Sequence, residues 1–276
     1  MTFCYHPQRM FPTLVRIGNF EITTFGLMMF LAFVVGGWVM TRELKRRELD
    51  EEIASSFVLA AALGGIIGAK VYYAILYKDV NLLFSRAGLV WYGGMIGGFI
   101  TCSVVMIRAK APYLSVADAA APGASIGYAL GRMGCFLVGD DYGRPTDSFV
   151  GVAFPKGAPP TTARSLREFG APVDPSLAPD TLLKVHPTQL YEVAAGVIMF
   201  IILMKMSRAN HPRGTIFGWF CILLGLERFL VEFLRAKDDR FLGSFTVAQL
   251  ISVILIAAGV WLVLHVRTRR RTAARA

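Results

Sequence analysis

Seven apolar stretches divide this chain, at roughly 20–41, 53–77, 88–107, 113–137, 189–206, 214–234 and 244–266. Each is about 20 residues long, enough for a helix to cross a bilayer. Inside a bilayer the backbone must satisfy its own hydrogen bonds, so such stretches fold as helices. The expected fold class is therefore all-α integral membrane, with seven transmembrane helices. Composition agrees: 55% of residues are hydrophobic and only 17% charged, against about 25% in soluble domains. The mean hydropathy is +0.53. The fourth stretch is the weakest, because it holds Asp118, Pro122 and many Gly and Ala. That pattern points to close helix packing rather than lipid exposure.

The first stretch reads as a retained helix rather than a cleaved leader, since no short apolar core ends in a small-residue cleavage site. Charge in the short loops sets the expected orientation. Arg42, Lys45, Arg46, Arg47, Arg108, Lys110, Lys205, Arg208, Arg213 and five tail arginines fall on one side. Arg9, Arg16, Lys78, Arg86, Arg235, Lys237 and Arg240 fall on the other, half as many. The richer side is cytoplasmic, so the N-terminus is expected in the periplasm and the C-terminus in the cytoplasm. The net charge of +10 is explained by attraction to anionic lipid, without nucleic acid. The four cysteines, Cys4, Cys102, Cys135 and Cys221, have no metal-ligand spacing and no disulfide pattern. The whole chain, 1–276, reads as one membrane domain. It carries a proline-rich periplasmic arm at 138–187, with a short strand expected at Phe149–Phe154, and a disordered basic tail at 267–276.

Four polar constellations interrupt the apolar pattern. In the first, Arg132 lies in Gly131-Arg132-Met133-Gly134-Cys135-Phe136, shortly before Gly139-Asp140-Asp141-Tyr142-Gly143-Arg144. A cation at the edge of a span faces a partner or a wet cavity, or snorkels to the interface. The guanidinium fork suits phosphate, and glycines at 131, 134, 139 and 143 would leave amides open to it. Asp140 is placed to orient the guanidinium or accept a proton; Asp141 reads equally as a solvated turn residue. The second is Trp91-Tyr92-Gly93-Gly94-Met95-Ile96-Gly97-Gly98, either a glycine-lined helix crossing or a cavity wall presenting the Tyr92 hydroxyl. The third, His186-Pro187-Thr188-Gln189-Leu190-Tyr191-Glu192, opens the fifth span with more polar groups than a helix cap explains. In the fourth, Glu227, Arg228 and Glu232 lie inside an apolar helix. Arg228 and Glu232 are spaced to pair with each other, or Arg228 faces the same cavity as Arg132. Lys70 is a further intramembrane cation that would converge with these two arginines.

Together these segments resemble the bacterial phosphatidylglycerol–prolipoprotein diacylglyceryl transferases. The resemblance rests on Gly131-Arg132-Met133-Gly134 with Phe136, Gly139, Asp140 and Gly143-Arg144. It extends to Phe25-Gly26-Leu27-Met28, to the segment from His186 to Glu192, and to Arg228-Phe229-Leu230-Val231-Glu232-Phe233 with Arg235 and Asp238. It covers nearly the whole chain.

The resemblance implies a bacterial inner-membrane enzyme. It would move the diacylglyceryl group of phosphatidylglycerol onto the lipobox cysteine thiol of a prolipoprotein, forming a thioether and releasing glycerol-1-phosphate. Arg132, Arg228, Tyr92 and Asp140 are the expected catalytic residues. Arg132, Lys70, Gly93, Gly94, Gly134, Gly143, Arg144, His186, Gln189, Tyr191 and Glu192 are expected to bind substrate. The implied partners are phosphatidylglycerol, prolipoprotein signal peptides and the lipid bilayer. No cofactor, metal ion or nucleic acid is expected, and the chain is expected to act as a monomer. The sequence also departs from the family pattern. Tyr92 replaces a histidine, Phe25 and Leu224 replace tyrosines, Cys135 an asparagine, Asp140 a glutamate and Lys70 an arginine. The thiol's base is then Tyr92, Asp140 or His186. Two alternatives remain at this stage, a related lipid-headgroup transferase with another acceptor and a lipid or anion transporter.

Overall fold

Residues 13–17, 20–84, 90–236, 240–242 and 245–273 are described by a computed structural model. A hairpin of β1 (Thr13–Ile17) and antiparallel β2 (Phe20–Thr23) leads into α1 (Thr24–Arg46). The Thr23 hydroxyl accepts the Gly26 amide at 3.0 Å, a side-chain cap that starts the helix a few residues later than the apolar run itself. There follow α2 (Glu52–Tyr77), α3 (Trp91–Arg108) and α4 (Tyr113–Val138). The segment after α4 holds one short helix, α5 (Ala163–Glu168). Then come α6 (Thr188–Ser207), α7 (Thr215–Val231), a second hairpin of β3 (Arg240–Leu242) and β4 (Phe245–Thr246), and α8 (Val247–Ala273).

Four of these helices are long and apolar enough to cross a membrane: α1, α2, α6 and residues Val247–Arg269 of α8. Residues Gly93–Arg108 of α3 form a shorter apolar helix. The chain is thus a helical integral membrane protein. Much of its apolar surface points outward, including Phe30, Ile66, Ile75, Phe99 and Trp261, all more than half exposed. In water such a surface would be a large unfavourable patch; in lipid it is the solvated face.

The chain forms two compact units. The first comprises 1–32 and 124–276, the second 33–123. Within the second unit α2 and α3 cross on glycine. A Cβ on Gly97 would fall on the Gly64 carbonyl oxygen, and one on Gly93 would fall on that of Gly68. Only residues without a side chain allow two helix backbones this close. A small core of Met40, Leu44, Ile53, Ala54, Met106, Val116 and Ala119 closes one end of this unit.

In the first unit, the segment between α4 and α6 has a core of its own. Tyr142 stacks on Phe154, and Leu166, Ala171, Val185 and Ala236 pack around them. The strand expected at Phe149–Phe154 is reduced to one bridge residue, Val152, paired with Val185. Phe149 is almost fully exposed, because a turn at 148–150 breaks the alternation a strand needs. The arginine-rich stretch after residue 266 also differs from expectation. It continues α8 through Ala273, since Arg and Ala are strong helix formers extending a helix already nucleated.

Candidate functional site

Three helices and one loop of the first unit bring the intramembrane charges together. Arg132, in the last two turns of α4, is 14% exposed and has both terminal nitrogens occupied. Its Nη1 lies 3.0 Å from Asp141 Oδ2, and its Nη2 lies 3.2 Å from Glu192 Oε1 on α6. Asp141 reaches on to Arg235, with Oδ1 2.7 Å from Nη2. Arg235 Nε is 3.9 Å from Glu232 Oε2, and the same oxygen takes Arg228 Nη2 at 2.6 Å. The three arginines are thus beads on one chain of ion pairs, alternating with Glu192, Asp141 and Glu232. Alternation is what permits so much charge in an apolar protein, because a buried ion without a counter-ion would be prohibitive. The i,i+4 pair Arg228–Glu232 is present, with Glu232 just past the end of α7, and it is one step in the chain of ion pairs that reaches Arg132.

A side branch completes the network. The Tyr128 hydroxyl is 3.2 Å from Glu192 Oε1 and 3.0 Å from Glu227 Oε2 on α7. Tyr128 also presents its ring to the guanidinium of Arg132, at 5.6 Å, a cation–π distance. Sequence reasoning missed Tyr128. The signal was its spacing, four residues before Arg132, which places both on one helix face.

The motif opening α6 holds the loop that carries Asp141. Thr188 Oγ1 donates to the Asp141 carbonyl at 3.0 Å, and Gln189 Nε2 donates to the Asp140 carbonyl. Both side chains are fully buried. His186 contributes its backbone: its carbonyl accepts the Gly143 amide at 2.9 Å, and its amide donates to the Arg144 carbonyl at 3.0 Å. Its ring meets the Tyr191 hydroxyl at 3.2 Å. The polar residues of this motif therefore do more than cap a helix. They fix residues 140–144 beneath Arg132, and Glu192 supplies the counter-ion.

Several residues expected to touch substrate have partners within the protein itself. The Gly139 amide bonds the Cys135 carbonyl and the Gly143 amide bonds that of His186, so neither is open to a phosphate. Gly143 is required for a different reason: a Cβ there would meet the Leu234 carbonyl oxygen, His186 Cβ and Thr188 Cγ2 at 2.6–2.8 Å. Gly134 faces Met28 and Phe25 of α1. Arg144 lies in the same backbone seam: its amide bonds Leu234 and its Nε bonds the Arg235 carbonyl at 3.1 Å. Orientation of the Arg132 guanidinium belongs to Asp141, not to Asp140. Lys70, Gly93 and Gly94 lie in the second unit, where the two glycines serve the α2–α3 crossing. The Tyr92 backbone lies in α3; its side chain, like Asp238 and Cys4, is outside the described residues.

The two adjacent carboxylates beyond α4 are tuned in opposite directions. Burial pushes the Asp140 carboxyl above the ordinary range, only partly offset by the neighbouring Cys135 thiol. Burial also pushes on Asp141, but Arg235 and Arg132 outweigh it and hold that carboxyl below the ordinary range. One carboxylate is thus a fixed counter-ion, and the other holds a proton more readily than an exposed carboxyl does. Buried polar atoms cluster here without a hydrogen-bond partner among the described residues: Asp140 Oδ1, Gln189 Oε1, Glu192 Oε2, Glu227 Oε1 and Arg228 Nη1. Such groups are costly unless a ligand or water meets them.

Fold and site together define an integral membrane protein with a largely buried network of alternating arginines and carboxylates. Comparison with known proteins identifies it further. The family described as prolipoprotein diacylglyceryl transferase matches residues 12–265. Proteins named phosphatidylglycerol–prolipoprotein diacylglyceryl transferase are similar over almost the whole chain. That of Geobacter sulfurreducens is 31% identical, covering 94% of this chain and 96% of that protein. The Salmonella arizonae protein is 32% identical, covering 94% of each, and the Pseudoalteromonas atlantica protein is 30% identical, covering 95% and 91%. The chain belongs to the prolipoprotein diacylglyceryl transferase family.

Proposed function

We propose that this enzyme transfers the diacylglyceryl group of phosphatidylglycerol to the lipobox cysteine thiol of a prolipoprotein in the bacterial inner membrane. The observation that carries the reading is Arg132, held by carboxylates on both terminal nitrogens and linked through Asp141 and Glu232 to Arg235 and Arg228, in a chain of this family. On this reading seven helices span the membrane. The N-terminus and the segment between α4 and α6 face the periplasm, and the enzyme works as a monomer.

The nucleophile comes with the substrate, so the enzyme has two tasks. It removes a proton from a thiol of pKa about 8.5. It also stabilises negative charge on the phosphate as the glyceryl C–O bond breaks. Arg132 and Arg228 perform the second task as charges already fixed in place by their carboxylate partners. Asp140 performs the first: burial raises its affinity for a proton toward that of the thiol, and its Oδ1 lacks a partner among the described residues.

Two experiments test the reading. Purified enzyme in phosphatidylglycerol vesicles should convert a lipobox peptide to the thioether. The gene should also rescue cells depleted of their own transferase. A folded enzyme that forms no thioether and gives no rescue would refute it.

A further inference from the structure

Tyr128 and Glu227 have no part in the reaction as described above, yet they are joined to it. The Tyr128 hydroxyl lies within hydrogen-bond distance of two carboxylates, Glu192 and Glu227. A phenol carries one hydrogen to donate and can otherwise only accept. Two ionised carboxylates would leave one of these contacts with no hydrogen in it. The arrangement is satisfied when one carboxylate brings a proton of its own. Glu192 is the ionised partner, because Arg132 Nη2 pairs with it at 3.2 Å. Glu227 has no cation within ion-pair distance among the described residues, and it is buried. The hydrogen bonds then run in one direction: the Glu227 acid donates to Tyr128, and Tyr128 donates to Glu192.

We propose that Glu227, Tyr128 and Glu192 form a proton relay that protonates the departing phosphate. The proposal rests on the transfer reaction above and assigns it a general acid. The thiol proton passes to Asp140, and the sulfur lone pair forms the S–C bond. The glyceryl C–O bond breaks with its electron pair going to the phosphate oxygen. Glu227 gives its proton to Tyr128 as Tyr128 passes its own to Glu192, and Glu192, ionised at rest, hands that proton on to the oxygen and is ionised again. Glu227 is left ionised, and the proton on Asp140 returns through solvent to restore the relay, so charge and protons balance.

The other charges bearing on the relay are Arg132 on α4, Arg228 on α7, Glu232 and Arg235 just after it, and Asp141 of the loop.

The test uses full-length enzyme in phosphatidylglycerol vesicles with a lipobox peptide. Glu227→Gln keeps a donor toward Tyr128 but cannot release a proton, and Tyr128→Phe cuts the relay. Both should lower kcat tenfold or more with little change in KM for lipid. Both should also abolish the fall in rate on the alkaline side of the pH profile. A wild-type kcat and alkaline limb in folded Glu227→Gln would overturn the relay. Infrared difference spectra of the wild type provide a readout free of activity: a protonated carboxylic-acid carbonyl band, missing from Glu227→Gln, is expected. Absence of that band in the wild type would overturn the proposal without touching the transferase reading, which stands or falls on thioether formation by the unaltered enzyme.

Discussion

Replacing Asp141 by asparagine separates the counter-ion role from the shape of the loop. Asp141 bridges Arg132 at 3.0 Å and Arg235 at 2.7 Å. The amide keeps one acceptor oxygen but turns its nitrogen toward the second arginine, so one contact becomes repulsive. A hydrogen bond to a charged group contributes about 1.5–3 kcal/mol when well shielded. The Asp141 side chain is 43% exposed, so solvent screening moves each contact toward about 1 kcal/mol. The expected loss of stability is about 2 kcal/mol, or roughly 4–8 °C in Tm for a chain of this size. Turnover should fall about a hundredfold, because a guanidinium displaced by an ångström is no longer aimed at the phosphate. Thermal unfolding in detergent and the vesicle assay give the two numbers. The pH dependence is a third check. The folded-state pKa of Asp141 is depressed, so its contribution is complete above the unfolded carboxylate pKa and disappears as pH falls through the folded value. The gap in Tm between wild type and variant should therefore be full at neutral pH and close on acidification. An unchanged Tm and rate at neutral pH, or a gap that widens in acid, would refute the reasoning.

Arg132→Lys should reduce thioether formation by about 10²–10³-fold despite keeping the charge, since an ammonium cannot bridge Asp141 and Glu192 or match a phosphate with two parallel bonds; near-normal turnover would show that a point charge suffices. Asp140→Asn should cost about 10²–10⁴-fold and remove the acid limb of the rate profile, with binding of phosphatidylglycerol retained; survival of that limb would exclude Asp140 as the base. Gly143→Ala places a methyl against the Leu234 carbonyl and His186. It should destabilise by about 1–3 kcal/mol, seen as a lowered Tm, with a wild-type Tm as the contrary result. Gly97→Leu should force α2 and α3 apart and prevent stable expression, whereas Leu at the exposed Ile96 should be tolerated, as comparison of detergent-extracted yields would show.

Much of the molecule was legible in the chain because the physics behind it is one-dimensional. A helix boundary depends on the length of an apolar run and the residues that cap it, so the expected span at 113–137 and α4 at Tyr113–Val138 coincide closely. Arg132, Glu192 and Arg228 were legible for a related reason: an ion inside an apolar helix is costly wherever the helix goes. The basic tail was read as disordered from its charge, but helix propensity prevailed. Of the four glycines around Arg132 expected to offer open amides, Gly139 and Gly143 give theirs to Cys135 and His186, one partner four residues back and the other more than forty residues ahead.

What the sequence determined by itself is that this chain lives in a membrane, that its apolar runs are helices, and that a few arginines and carboxylates had to find one another there. It did not determine which ones meet. Asp140 and Asp141 are adjacent and chemically alike, yet one pairs with two arginines and its neighbour is left with a raised pKa. The difference arises from a turn held in place by Thr188 and Gln189 at the start of another helix. Likewise Tyr128, unremarked in the chain, stands between two carboxylates that lie 64 and 99 residues away. Burial dictates that charges must pair, and a sequence records burial well. Partner choice depends on angles and distances of a few ångströms between separate helices, and only the packed structure sets those.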